Sequence, residues 1–336
     1  MVVTILLPFI FLLLIGLFQN KEKSYGDMTF MSVERTNILR GIAIILVMMM
    51  HASCDAGERV FTPMGGIGVS IFLILSGYGL SVSCQKNGIK HFWKKKVVRI
   101  YIPYALLLFS IIIIQSNYSR LLKLDFILDL LCLKTSYWYI SFLIYNYILY
   151  WVCCLLRVSL KVRYLLFMLF AIGLILFDNR IRAEQSLSFV TGMFIADYKM
   201  VAMKLISTKN NRVIWAIFVL ASCTLTIKQI SIVRSIMENI TILNNMMELC
   251  IKYGFAIIII ALINVVATRN LHLLRNSGFL QFCSGASLEI YLVHFSLRFM
   301  IDKEQQTVSL ILFLLLTFSI SYIFNRINKT ITIWIK

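Results

Sequence analysis

The sequence predicts an all-α integral membrane protein, a polytopic bundle of about eleven transmembrane helices. Three observations carry this reading. Apolar residues make up 60% of the 336 and charged residues only 14%, against roughly 45–50% and 25% in soluble domains. Apolar runs long enough to cross a hydrocarbon core recur along the chain, with only three prolines among them. The basic residues gather in alternate connections between those runs.

The first run, 2–18, has no basic segment ahead of it, and Lys21 and Lys23 follow it. That order describes an anchor rather than a cleaved signal. The following spans are 38–54, 66–83, 97–115, 138–156, 163–177, 185–198, 212–228, 249–267, 279–299 and 307–324. Residues 118–135 mix charges with leucines too densely to span and read as an amphipathic interfacial segment. Connections 19–40, 85–99, 157–163, 199–212, 268–275 and 325–336 carry about twice as many Lys and Arg as the opposite set. The positive-inside rule therefore puts the C-terminus in the cytoplasm and the N-terminus outside. The net charge of +18 is loop charge facing the cytoplasm, not a nucleic-acid footprint. The eight cysteines form no CxxC pair or Cys/His zinc pattern and read as small hydrophobes, with no metal site.

Ionisable groups inside apolar runs are costly, roughly 2.5–3.5 kcal/mol for a mid-helix Arg or Lys, and mark function. Arg40 and His51 share the second run. At about 100° per residue, eleven steps return to within roughly 20°, so the two lie on one helix face, roughly 16 Å apart. Asp55 stands one turn beyond His51, where a carboxylate could orient the imidazole and raise its basicity; alternatively it only starts a loop. Lys94, Lys95, Lys96 and Arg99 precede Pro103 and can bind phosphates or only lipid head groups. The stretch Gly65-Gly-Ile-Gly permits close helix packing, and Ser76 and Tyr78 add hydroxyls at depth. Ser287, Tyr291, His294 and Arg298 form a polar stripe at helical spacing that must face the bundle interior or a wet cavity. His294 reaches a depth similar to that of His51.

These segments resemble the membrane-bound acyltransferase-3 family, which includes bacterial O-acetyltransferases of polysaccharide and lipopolysaccharide. Arg40 and His51 match its Arg-x10-His. Phe72-Leu-Ile-Leu-Ser-Gly-Tyr resembles its Phe-apolar-Ser-Gly-aromatic segment, and Lys96-Val-Val-Arg99 its basic Arg-x-x-Arg element. Ser287-Leu-Glu-Ile-Tyr-Leu-Val-His resembles its late helix, and Trp138-Tyr-Ile-Ser is also similar. Two departures stand out: Lys96 replaces an arginine and loses the bidentate fork, and 2–18 is an addition to a core of about ten spans. The resemblance divides the chain into an anchor and linker, 1–33, and an acyltransferase-like domain, 34–336.

The resemblance implies transfer of an acyl group, expected to be acetyl, from cytoplasmic acetyl-CoA to a hydroxyl of a cell-envelope carbohydrate or lipid-linked glycan. The enzyme would sit in the bacterial inner membrane, alone or in a polysaccharide-synthesis complex, with acetyl-CoA as a donor substrate and no permanently bound cofactor. His51, Arg40, Asp55 and His294 would be catalytic. Lys95, Lys96, Arg99, Ser76, Tyr78, Trp138, Ser287 and Tyr291 would bind substrate. The alternative is a polytopic transporter or flippase using the same intramembrane Arg and His without acyl transfer.

Overall fold

The computed structural model describes residues 30–116, 118–178, 181–206, 212–265 and 274–335. The expected anchor 2–18 lies outside them. All regular structure among the described residues is helical. Eight helices are long and apolar enough to cross a membrane, which fits a multi-pass protein and leaves the count of eleven unmet among the described residues.

Helix α1, Val33–Asp55, starts where the Ser32 hydroxyl accepts from the Arg35 N–H at 3.4 Å. Such a cap satisfies one orphan donor and contributes about 1 kcal/mol. The start is pinned to the far end of the bundle's sequence: Met31 N–H donates to Asn264 Oδ1 at 2.9 Å, and the Arg35 guanidinium donates to the Ile263 carbonyl. Helix α2, Thr62–Asn87, begins with Pro63 in its first turn, where the missing N–H costs nothing. Helix α3, Phe92–Ile114, contains a π-turn at Val97–Tyr101 ahead of Pro103. Helix α4, Leu124–Leu130, and the 3-10 turn Tyr118–Leu122 occupy the expected interfacial segment, with Leu124 exposed and Phe126 buried.

Helices α5 (Trp138–Leu155) and α6 (Leu160–Phe177) follow. The expected span 185–198 is shorter: a 3-10 turn and helix α7, Ser188–Asp197, of ten residues. Two connections expected as loops hold helices, α8 (Lys199–Ile206) and α10 (Ser231–Asn239), either side of α9 (Arg212–Gln229). Helix α11 is Thr241–Val265. The expected span 279–299 is broken at Ala286 into α12 (Gly278–Gly285) and α13 (Ser287–Leu297). The carbonyl freed at Gly285 is satisfied by Asn325 Nδ2 at 3.1 Å. That asparagine sits on α14, Gln306–Ile335, which runs well past the expected end at 324.

The central helix α2 packs against α1, α7 and α11. Its closest crossing needs glycine on both sides. A Cβ on Gly77 would overlap the Phe189 carbonyl oxygen, and one on Gly192 would overlap the Ile74 carbonyl oxygen. Small residues here let backbones touch where lipid supplies no hydrophobic drive. The outer helices leave apolar faces for the acyl chains, as Leu165, Leu169 and Ile172 do on α6. Lys252, an ionisable residue inside α11, is neutralised in place: it pairs with Glu184 and, at 3.1 Å, with Glu248, which also takes Lys228.

Candidate functional site

A cavity of about 780 Å³ opens among α1, α2, α3, α5, α12, α13 and α14 at the end where the basic stretch of α3 lies. Five cations stand on its walls: Arg40, Lys95, Lys96, Arg99 and Lys329. The one lining acid, Glu289, accepts from Asn328 Nδ2 at 3.0 Å. None of the five cations has an acidic partner among the described residues. Arg40 touches Asn37 at 3.4 Å, and the Lys96 ammonium lies 4.5 Å over the Tyr147 ring. Uncompensated like charges converging in a recess lined partly by apolar atoms make a site for a multiply charged anion. The π-turn of α3 helps to bring Lys95, Lys96 and Arg99 onto one wall.

Further in, the walls are Ser76 of α2, Tyr139 and Tyr147 of α5, and Ser287 and Tyr291 of α13. The cavity also touches Val47, one turn before His51, and Tyr291, three residues before His294. Neither histidine lines it; both stand one helical turn beyond.

His51 Nδ1 is 3.0 Å from His294 Nε2, and His294 Nδ1 is 2.8 Å from the Ile290 carbonyl. A carbonyl oxygen only accepts, so His294 Nδ1 carries a proton. With both rings neutral, His294 Nε2 must accept, and His51 Nδ1–H donates to it. The lone pair of His51 is thereby set on Nε2. His294 is fully buried and His51 half-buried. The Tyr291 ring packs 5.8 Å from His294 with its hydroxyl buried.

The structure separates the residues singled out in the sequence into three groups. Arg40, Lys95, Lys96, Arg99, Ser76, Ser287 and Tyr291 share the cavity, and His51 and His294 form the pair beyond it. Asp55, Tyr78 and Trp138 go elsewhere. Asp55 does not orient His51: its two oxygens accept from Arg298 at 2.6 and 2.7 Å, and His294 makes the contact to His51 instead. Tyr78 turns from the cavity and donates to the Met31 carbonyl at 3.3 Å, and Trp138 packs on Tyr139 and Phe142. The sequence reading missed Glu289, Asn325, Asn328 and Lys329 as cavity residues. Asn325, Asn328, Lys329 and Thr332 recur at helical spacing, a polar stripe overlooked because the last span was ended at 324.

Residues 34–328 match the family model described as an acyltransferase domain, Acyl_transf_3. The chain belongs to the acyltransferase-3 family. Comparison with curated proteins and with solved structures gives no match. The acyltransferase-3 region contains the histidine pair and most of the cavity wall, so the membrane-embedded bundle is itself the acyltransferase domain. Among the described residues no grouping of His, Cys, Asp and Glu could hold a metal ion.

Proposed function

We propose that this acyltransferase-3 protein transfers an acetyl group from cytoplasmic acetyl-CoA to a hydroxyl of a cell-envelope carbohydrate, such as an exopolysaccharide, capsule, O-antigen or lipid-linked sugar. The observation that carries this reading is one cavity walled by five cations that have no acidic partner among the described residues, with a hydrogen-bonded histidine pair one turn beyond Val47 and Tyr291 of its wall. Acetyl-CoA has that polarity: phosphates at one end, a thioester at the other, and a long thin arm between. The phosphates lie against Arg40, Lys96, Arg99 and Lys329, and the arm runs past Ser76, Tyr147 and Tyr139. The separation of roughly 16 Å between Arg40 and His51 along one uninterrupted helix suits such a donor.

His51 is the general base. The acceptor hydroxyl oxygen attacks the thioester carbonyl carbon while its proton passes to His51 Nε2. The tetrahedral adduct collapses with cleavage of the C–S bond. The departing thiolate takes the proton back from His51, so acetyl ester and free thiol leave and the histidine returns neutral. His294 holds the productive tautomer throughout. Tyr291, on the cavity wall, carries a hydroxyl that can donate to charge growing on the carbonyl oxygen. The basic mouth faces the cytoplasm of a bacterial inner membrane, with the C-terminus on the same side.

The test is radiolabelled acetyl-CoA given to the protein in nanodiscs with surface polysaccharide from the producing cells. The wild type should move label to base-labile ester. His51→Ala should lower the rate by about 10²–10⁴-fold while acetyl-CoA still binds. A folded His51→Ala protein with undiminished transfer would remove His51 from the mechanism. No consumption of acetyl-CoA by the wild type would favour a transporter.

A further inference from the structure

A second pocket, of about 400 Å³, opens on the far side of the histidine pair, at the end of the bundle away from the cationic mouth. Its walls come from the last turn of α1, the last turn of α13 and the 3-10 turn and loop that follow it, with Asp55, Phe295, Arg298, Phe299 and Lys303 contributing. Asp55 and Arg298 grip each other through two short hydrogen bonds, so their remaining lone pairs and N–H groups point in fixed directions. The loop is braced as well. Gln306 Nε2 donates to the Ala56 carbonyl at 3.0 Å, and the Asp302 N–H donates to Ser309 Oγ at 3.1 Å.

Phe295 joins this pocket to the catalytic pair. Its ring meets His51 edge-on at 5.8 Å and carries the Arg298 guanidinium 5.3 Å above it. Phe299, at the rim, is 83% exposed, a large ring whose face is free to receive an apolar surface. Lys303 has no acidic partner among the described residues.

We infer that this pocket is the acceptor subsite and takes a pyranose that bears an anionic group. The C–H face of the sugar rests on Phe299. Its hydroxyl edge exchanges hydrogen bonds with the Asp55–Arg298 pair, and its carboxylate or phosphate meets Lys303. A ring with an apolar face, a polar edge and a negative charge is complementary to this set, and a hydroxyl of that ring is carried towards His51 past Phe295. The inference rests on the acyl-transfer reading and extends it to the second substrate.

The experiment uses the full chain in nanodiscs, with two acceptors: the surface polysaccharide of the producing cells and its carboxyl-reduced form. Phe299→Ala and Lys303→Gln should each raise the acceptor KM about tenfold, with the acetyl-CoA Kd within about twofold of wild type. Removing the charge should make the reduced polymer as poor an acceptor for wild type as the native polymer is for Lys303→Gln. Unchanged acceptor KM in both variants would overturn the assignment. So would a loss of membrane-inserted protein in Phe299→Ala with normal KM, which would make that ring a lipid anchor. A wild-type protein that transfers no acetate defeats the underlying acyl-transfer reading instead, and is told apart because no variant is needed to see it.

Discussion

His51 Nδ1 and His294 Nε2 meet at 3.0 Å although 243 residues separate them in the chain. Because His294 also donates to the Ile290 carbonyl, the contact dictates which nitrogen of His51 is basic. His294 is then a positioning residue for the proposed base. His294→Ala should lower kcat by about a hundredfold, within the range of general-base effects, with the KM for acetyl-CoA unchanged. His294→Gln, whose side-chain carbonyl can still accept from His51 Nδ1–H, should recover part of the loss. Stopped-flow single-turnover rates check both, and equal kinetics in the Ala and Gln variants would refute the tautomer argument.

The five cations on the cavity walls have no acidic partners among the described residues, so their charge is available to a ligand. Arg99→Ala and Lys329→Ala should each raise the KM for acetyl-CoA about tenfold, equivalent to about 1.4 kcal/mol, and flatten its salt dependence. Dephospho-CoA thioesters should show a smaller change than the full donor. Titrations at several ionic strengths measure this directly. Identical salt slopes in wild type and variants would assign these residues to lipid.

Gly192 and Gly77 allow α7 and α2 to touch through their backbones. Gly192→Ala should destabilise the fold by about 1–3 kcal/mol, the usual cost of overpacking. Gly173→Ala is the control, since a Cβ there has nothing within 4 Å. Thermal unfolding in detergent should show a lower Tm for Gly192→Ala alone.

Lys252 sits among Glu184 and Glu248 with side-chain exposure of only 11%. Lys252→Met leaves two carboxylates facing one another, with Lys228 on Glu248 as the cation that remains among the described residues. Removing one partner of a buried pair costs about 3–5 kcal/mol. The triple variant Lys252→Met, Glu184→Gln, Glu248→Gln should be more stable than Lys252→Met alone, which a thermal-shift series would read. The opposite order would show that the cluster is solvated.

Membrane spans were legible because apolar length is a local property of the chain. The shared face of Arg40 and His51 was legible because one uninterrupted helix, Val33–Asp55, keeps the period. The stripe from Ser287 to Arg298 was legible for the same reason, yet its helix starts only at Ser287, after a break at Ala286 that no proline announces. That break survives because Asn325, forty residues further on, satisfies the released carbonyl.

The sequence by itself determined a membrane-embedded all-α bundle, its family, and the helix faces that carry charge. Tertiary structure alone decided who meets whom: His294 rather than Asp55 beside His51, Arg298 on Asp55, and Lys329 in one cavity with Lys96 and Arg99. The reason is physical. Periodicity sets where a side chain points around its own helix, but the partner across the gap depends on where neighbouring backbones can approach, and here glycines such as Gly77 and Gly192 set that distance.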